Sequence, residues 1–350
     1  MRNNEKNALK DGSSAPNDPD NDEVDEPLHT SCLVVEGQEY RADSCIGRVT
    51  RTAVDRVRVC TSLEEAIGCE SDQFEFMMVN YNAWSNRELE QLFESHHEQI
   101  SNNRLLLYGR GFERDDLARF LDQFGLTNLL ARNGQVDSDE LLTTLQKILR
   151  SDIFGLEKYF PWGAQTESLT VASSGEIEDV VGMSREFVGS MGVSRRVRQT
   201  FSLVAEELTS NALYDAPVDD AGEFRFADLD RSEQVELDDD EQVEVTFCND
   251  GERIGVSVSD PFGSLTPRLV IEYLARCFRR NHDQIDRSAG GAGLGLYQSF
   301  EGLSHMAVNL EPGERTELIG ILHVEDPHRS IDGEQKSLNV FVGDGVSGGS

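Results

Sequence analysis

Between residues 32 and 131 five short apolar runs recur with a regular beat: 32-CLVVE-36, 57-VRVCT-61, 74-FEFMMVNY-81, 104-RLLLYG-109 and 126-LTNLLA-131. Helix-like stretches fill the gaps, among them 63-LEEAIGCE-70, 86-NRELEQLFESHHEQI-100 and 113-ERDDLARFLDQFG-125, and the amphipathic 139-DELLTTLQKILR-150 closes the series. Runs this short and this continuously apolar read as strands of a parallel sheet buried on both faces. Strict strand and helix alternation then predicts a doubly wound, five-stranded α/β unit over residues 30–150.

The grammar changes after residue 150. The stretch 151-SDIFGLEKYFPWGAQ-165 mixes aromatics with Gly and Pro. Its apolar content, Ile153, Phe154, Leu156, Tyr159, Phe160 and Trp162, predicts a connector that packs down rather than a free linker. From 166 the pattern gives one strand (168-SLTVAS-173), two helices (175–191 and 194–214) and an antiparallel pair (242-QVEVTFCND-250 and 253-RIGVSVSD-260). A helix over 266–280, a glycine run, another helix and further strands follow. Without strict alternation, residues 166–343 read as an α+β sandwich, its helices on one face of a mostly antiparallel sheet. The acidic head 1–29, with 17-NDPDNDEVDEP-27, and the tail 344–350 read as disordered.

A formal net charge of −33 excludes a nucleic-acid partner, because affinity for a phosphate backbone comes from Lys and Arg. It favours basic partners instead. Much of the charge is local, in the head and in the loop 219–241, which runs into 228-DLDRSEQVELDDDEQ-242. No apolar run approaches the roughly 20 residues that span a bilayer, and the N-terminus lacks the apolar stretch of a signal peptide. Cys32, Cys45, Cys60, Cys69, Cys248 and Cys277 form no C-x-x-C pair, so neither a zinc site nor a disulfide framework is expected. Together these features predict a cytoplasmic protein with no membrane association.

The chemistry concentrates in the second half. On the helix over 194–214, Val197, Phe201, Val204, Leu208 and Ala212 form the buried row, and Glu207 and Asn211 share the next face. A carboxylate and an amide so placed suit a hydrated Mg²⁺ and an activated water or hydroxyl. At 257-SVSDPFGSLTP-267 a strand ends in Asp260, which suits it to accept a hydrogen bond from a buried exocyclic amine. At 288-SAGGAGLGLYQS-299, Gly290, Gly291, Gly293 and Gly295 precede or open a helix starting near Leu294. Closely spaced backbone N–H groups at a helix N-terminus bind phosphate. The spacing is neither G-x-G-x-x-G nor a P-loop, and 279-RRNHDQIDRS-288 reads as a lid whose Arg279, Arg280 and Arg287 can reach a triphosphate.

Glu207 with Asn211, Asp260 with Gly263, and the G-A-G-L-G-L of 291–296, in that order, resemble the ATP-binding domain of the GHKL or histidine-kinase-like group. That group includes gyrase B, the 90-kDa heat-shock chaperones, mismatch-repair ATPases, sensor histidine kinases and anti-sigma-factor serine kinases. The resemblance covers about 165–325. It implies ATP and Mg²⁺ as cofactors, Glu207 as general base, Asn211 as Mg²⁺ ligand and Asp260 as adenine reader. It also implies Gly291, Gly293 and Gly295, with Leu294 and the lid's Arg287, around the phosphates, and Thr316 of 312-PGERTELIG-320 beside the adenine. The group's usual D-x-G-x-G reads D-P-F-G-S here, with Phe262 and Ser264 at two glycine positions.

The first half resembles a two-component receiver domain. A receiver's acidic pair, phosphoacceptor aspartate, hydroxyl and lysine correspond here to Glu36 with Gly37, Asn80, Gly109, and Arg132 or Asn133. Asparagine cannot form an acyl phosphate, so a degenerate receiver serving as a docking or dimerising scaffold is expected. The two resemblances together imply a cytoplasmic signalling ATPase of the anti-sigma type, a protein serine/threonine kinase acting on a regulatory protein partner. Such relatives commonly dimerise, which makes a homodimer part of the expectation. The alternatives are a nucleotide-sensing pseudo-enzyme without turnover and a histidine-kinase-derived catalytic domain.

Overall fold

The computed structural model describes residues 30–343 apart from 39–40, 43, 71–72, 102, 132–137, 190, 220, 227–228, 280–291 and 325–335. The head 1–29, the tail 344–350 and most of the expected lid thus lie outside the described residues.

Each apolar run of the first half carries one strand: β1 (Ser31–Val35), β2 (Arg56–Cys60), β3 (Phe76–Asn80), β4 (Leu105–Gly109) and β5 (Asn128–Ala131). They are parallel and ordered β2-β1-β3-β4-β5, one of the two common doubly wound orders. Alternate side chains serve two cores. Val34, Phe76, Met78 and Leu106 face α1 (Cys45–Ala53) and α6 (Ser138–Arg150). Leu33, Val35, Met77 and Leu107 share the opposite core with α2 (Leu63–Ile67), α3 (Asn86–Ser95) and α5 (Arg114–Arg119), and α4 (His97–Ser101) follows α3. Helix α1, absent from the sequence reading, starts at Ser44, whose side chain accepts a hydrogen bond from Gly47 N–H, and buries Ile46 and Thr50.

The second half contains β6 (Gln165–Val171), α7 (Ile177–Gly189), α8 (Arg195–Tyr214), β7 (Val243–Asn249), β8 (Arg253–Asp260), α9 (Pro267–Arg279), α10 (Ala292–Gly302), β9 (His305–Glu311) and β10 (Arg315–His323). Its strands run antiparallel in the order β9-β10-β8-β7-β6, and the four helices contribute to the same core as α3 and α5. The last described strand, β11 (Ser337–Val342), lies parallel to β9 and antiparallel to β5. It therefore joins both halves into one sheet of eleven strands.

The join is polar and, apart from the half-buried Asn103, buried. Asn339 Nδ2 donates to Asn128 Oδ1 at 3.0 Å, Asn128 Nδ2 to Asn103 Oδ1 at 2.7 Å, and Asn103 Nδ2 to the Val340 carbonyl at 2.7 Å. Beneath α6, His305 meets Glu140 at 2.9 Å through Nδ1 and Asn339 at 2.8 Å through Nε2. Glu317 accepts from Ser257 at 2.6 Å, Asn309 at 2.7 Å and Gly155 N–H at 2.8 Å. Lys147 lies 4.4 Å from the Tyr159 ring centroid, and burial pulls its ammonium down to about 7. Buried polar groups need their partners, so this network permits one register between the halves.

The connector packs as expected through Ile153, Leu156, Tyr159 and Phe160, which are buried on the α6 side. Trp162 is a correction to that expectation: its side chain is fully exposed, because the turn before β6 carries it off the sheet. Among the described residues no helix is long and apolar enough to cross a membrane.

Candidate functional site

Helix α8 begins at Ser194, whose hydroxyl accepts from Val197 N–H at 3.2 Å. It buries Phe201, Val204, Leu208 and Ala212 against the sheet. Glu207 and Asn211 fall on the edge of that stripe, half-buried. Glu206 points the other way, into an exposed groove with Arg185, Arg195 and Arg198.

The glycine run meets this edge. Gly295, in the first turn of α10, approaches so closely that a Cβ there would lie 2.3 Å from Glu207 Oε2 and 3.7 Å from Asn211 Nδ2. Gly295 of α10 thus sits beside the Glu207–Asn211 pair, with Leu294 and Gly293 one and two residues before it in the same helix. Gly291 and Arg287 lie outside the described residues. We expect Gly295→Ala to leave the fold intact, since the carboxylate is the free end of a flexible side chain, while turning Glu207 out of place. On the expectation of nucleotide turnover drawn from the sequence, that turnover should fall roughly 10- to 100-fold, with the thermal midpoint within a few degrees of wild type. Calorimetry beside a phosphate-release assay reads both.

Asp260 ends β8 directly opposite Thr316 of β10. Its Oδ1 accepts from Phe262 N–H at 3.0 Å. Burial pushes the Asp260 carboxyl up to about 7, against the pull of the Phe262 and Gly263 N–H groups and the Arg315 charge. The Thr316 hydroxyl oxygen is buried with no hydrogen-bond partner among the described residues. Gly263 has φ of +56°, and a Cβ there would stand 2.3 Å from Glu314 N and 2.5 Å from the Glu311 carbonyl. Only glycine lets this turn close on the β9–β10 hairpin, where Gly313 N–H donates to the Gly263 carbonyl at 2.9 Å.

Asn211, Asp260 and Thr316 line one open cleft of about 560 Å³ whose walls include Ala212, Ala216, Leu265, Leu269, Leu296, Leu318 and the aromatic Phe224 and Tyr273. Phe262 is not among them. Its ring is buried in the core, so the D-P-F-G-S departure leaves the cleft open, and Ser264 lines it. An apolar slot with one buried acceptor and one unpaired hydroxyl at its floor suits a flat heteroaromatic ring bearing an amine.

Sequence reasoning missed the groups that close the end of α8. Asp215 caps the helix, half-buried, and desolvation raises its carboxyl while Arg231 lowers it. Arg231 comes from the acidic loop, and its one signal was to be the only base in 228-DLDRSEQVELDDDEQ-242. Glu207 is raised above the ordinary carboxylate range, chiefly by burial, with Arg231 opposing and Glu206 and Asp215 reinforcing.

The corresponding end of the first half is self-satisfied. Glu36 accepts from Asn80 Nδ2 at 2.7 Å and from the Tyr108 hydroxyl, and Arg110 N–H donates to Asn82 at 2.6 Å. Arg132 and Asn133 lie outside the described residues. Among the described residues no three His, Cys, Asp or Glu side chains cluster as a metal site.

No protein-family model matches the chain, and no curated protein matches it. Among solved structures, a chain of the SiaB-SiaC complex from Pseudomonas aeruginosa is similar at 16% identity, over 44% of this chain and 88% of that chain, with a TM-score of 0.29.

Proposed function

We propose that the cleft binds ATP with Mg²⁺ and that the protein is an ATP-dependent serine/threonine kinase of the anti-sigma regulatory type, acting on a regulatory protein partner. One observation carries the reading: Asn211, Asp260 and Thr316, remote in sequence, line one cleft whose rim is the α10 turn pressed against Glu207. The buried, unpartnered Thr316 hydroxyl and the Asp260 carboxylate fit the edge of adenine. Asn211 offers a carboxamide oxygen to Mg²⁺, which prefers few protein oxygens beside water and phosphate. When bound, Mg²⁺ neutralises phosphate charge at the transferring group.

Within this frame the chain's own residues divide the work. Asp260 and Thr316 orient the base, and the apolar walls exclude water around it. The α10 N-terminal turn donates backbone N–H groups toward the phosphates. Glu207, made more basic by burial, takes the proton of the attacking hydroxyl.

The nucleotide-sensing reading without turnover is favoured by one contact, that of Arg231 on Asn211. The histidine-kinase reading gains nothing from His96, which is buried with its Nδ1 facing Ser95 and the Leu92 carbonyl. The first half then acts as a docking or dimerising scaffold of degenerate receiver type. The test is base selectivity. An acceptor at the floor of the cleft repels the guanine carbonyl, so GTP should bind roughly 100-fold or more weaker than ATP by calorimetry. Equal affinity for ATP and GTP, or none for either, removes the adenine reading.

A further inference from the structure

We infer that Arg231 is a built-in occupant of the metal position: its guanidinium holds the acceptors at the end of α8, and Mg·ATP binding must displace it, freeing the acidic segment that it pins. This rests on reading the cleft as a nucleotide site. Arg231 is the one base in a run of acids. Its Nη1 donates to both the Ser210 carbonyl and the Ser210 hydroxyl at 2.8 Å. Its Nη2 donates to Asp215 Oδ2 at 2.5 Å and, more loosely, to Asn211 Oδ1 at 3.4 Å. The guanidinium also lies 4.8 Å from the Tyr214 ring centroid, and the Tyr214 hydroxyl donates back to the carbonyls of Glu233 at 2.6 Å and Arg231 at 3.2 Å.

Those contacts hold the middle of the loop against α8, whereas its two ends have separate anchors. On one side Val218 bridges Phe224, and Arg225 N–H donates to the Pro217 carbonyl at 2.9 Å. On the other, Val235 N–H donates to the Ser174 hydroxyl at 3.0 Å and Leu237 N–H to the Ala172 carbonyl at 2.8 Å. Release of Arg231 and Tyr214 would therefore free residues 229–234 while Phe226 stays packed against the core. The Arg231 side chain is 37% exposed, so it can leave into water without losing a buried environment.

An arginine at a helix end often does no more than bind the last carbonyls, and the Ser210 contact alone would fit that role. The Asn211 and Asp215 contacts go further. Both offer oxygens of the kind that hold Mg²⁺, and a guanidinium and a divalent cation cannot share them without strong repulsion. Arg231 is then both lock and gauge: the acidic segment stays docked until metal and nucleotide arrive together.

The experiment compares wild type with Arg231→Ala and Arg231→Lys, using Mn²⁺ alone by paramagnetic resonance, ATP in EDTA, and Mg·ATP by calorimetry. Hydrogen exchange over 229–234 is followed in parallel. Arg231→Ala should bind Mn²⁺ and Mg·ATP about tenfold more tightly than wild type, within the usual range of coupling between sites. Its affinity for ATP in EDTA should be unchanged. Arg231→Lys, which keeps a cation but not the fork, should fall between. In wild type, Mg·ATP should speed exchange over 229–234, and in Arg231→Ala that segment should exchange fast from the start. If wild type binds ATP but Arg231→Ala binds Mg·ATP no better, the displacement is wrong and the nucleotide reading stands. If ATP binds neither protein while Arg231→Ala still gains Mn²⁺ affinity, the displacement stands and the nucleotide reading falls. If ATP binds neither protein and Arg231→Ala gains no Mn²⁺ affinity, both readings fall.

Discussion

Asp260→Asn should weaken ATP binding by roughly 100-fold while making the nucleotide-free protein more stable at pH 8. The binding loss follows from counting acceptors. Oδ1 of Asp260 already serves Phe262 N–H, and an amine on the ligand needs the second oxygen. An asparagine has one oxygen for both tasks and turns a donor toward whichever partner is left.

The stability gain follows from the sign of the shift. Burial raises the folded carboxyl to about 7 from its ordinary 3.8. Below pH 3.8 both states are protonated and Asp260 contributes its full share. As pH rises toward 7 the unfolded chain releases its proton first, so that share is progressively lost, and it is gone above the folded value. At pH 8 the ionised, buried carboxylate costs on the order of 2–4 kcal/mol, which asparagine avoids. Chemical denaturation of both proteins from pH 4 to 8 should show the variant's advantage growing from near zero to that size. A constant difference across the range would mean that Asp260 is not the titrating group. Because an amine donor favours the ionised carboxylate, ATP binding near pH 6.5 should also release protons. Calorimetry in two buffers of different ionisation enthalpy reads that release.

Glu207→Gln should lower turnover by roughly 10²- to 10⁴-fold, the usual worth of a general base, with ATP affinity within about threefold of wild type. Glutamine keeps the shape beside Gly295 and removes only the basicity. Single-turnover phosphoryl transfer, to water or to a bound partner, separates this outcome from simple loss of binding. Glu206→Gln is the matched control, one residue away and facing the Arg185 groove, and it should change neither quantity. If Glu207→Gln turns over at the wild-type rate, Glu207 is not the base. If wild type itself shows no turnover while binding ATP, the sensing reading replaces the kinase.

Strands β1, β3, β4 and β5 were legible because they are buried on both faces and so leave unbroken apolar runs, whereas β2, at the edge and half-exposed, was legible from the alternation of Val57 and Val59 with Arg58. Glu207 and Asn211 were legible because α8 keeps a clean helical period, which puts i and i+4 on one edge. Helix α1 escaped notice since Arg48, Thr50, Arg51 and Thr52 break up 45-CIGRVTRTA-53, which buries only Ile46, Gly47 and Thr50, and its start depends on the Ser44 cap. The role of β11 was hidden for a different reason. Ser337 and Asn339 interrupt its apolar pattern, and their partners are Ala131 and Asn128 in the other half. Nothing local to 337–342 announces a partner that distant. Arg231 could have been singled out as an isolated base, but its place over Asn211 depends on the fold of a long loop.

The join through β11 also bears on how the chain acquires its structure. Ser337 reaches Ala131 across 206 residues of sequence, and β11 leaves the ribosome after every other described strand. Until then β5 and β9 each present an unpaired edge, the kind of surface that invites wrong pairing. The slow step of folding is therefore expected to be insertion of β11 between two preformed sheets, a long-range closure that local structure cannot hasten. The cleft proposed for nucleotide lies on elements complete before that step, so a ligand present during synthesis would find half of the molecule ready while its neighbour still waited to be joined.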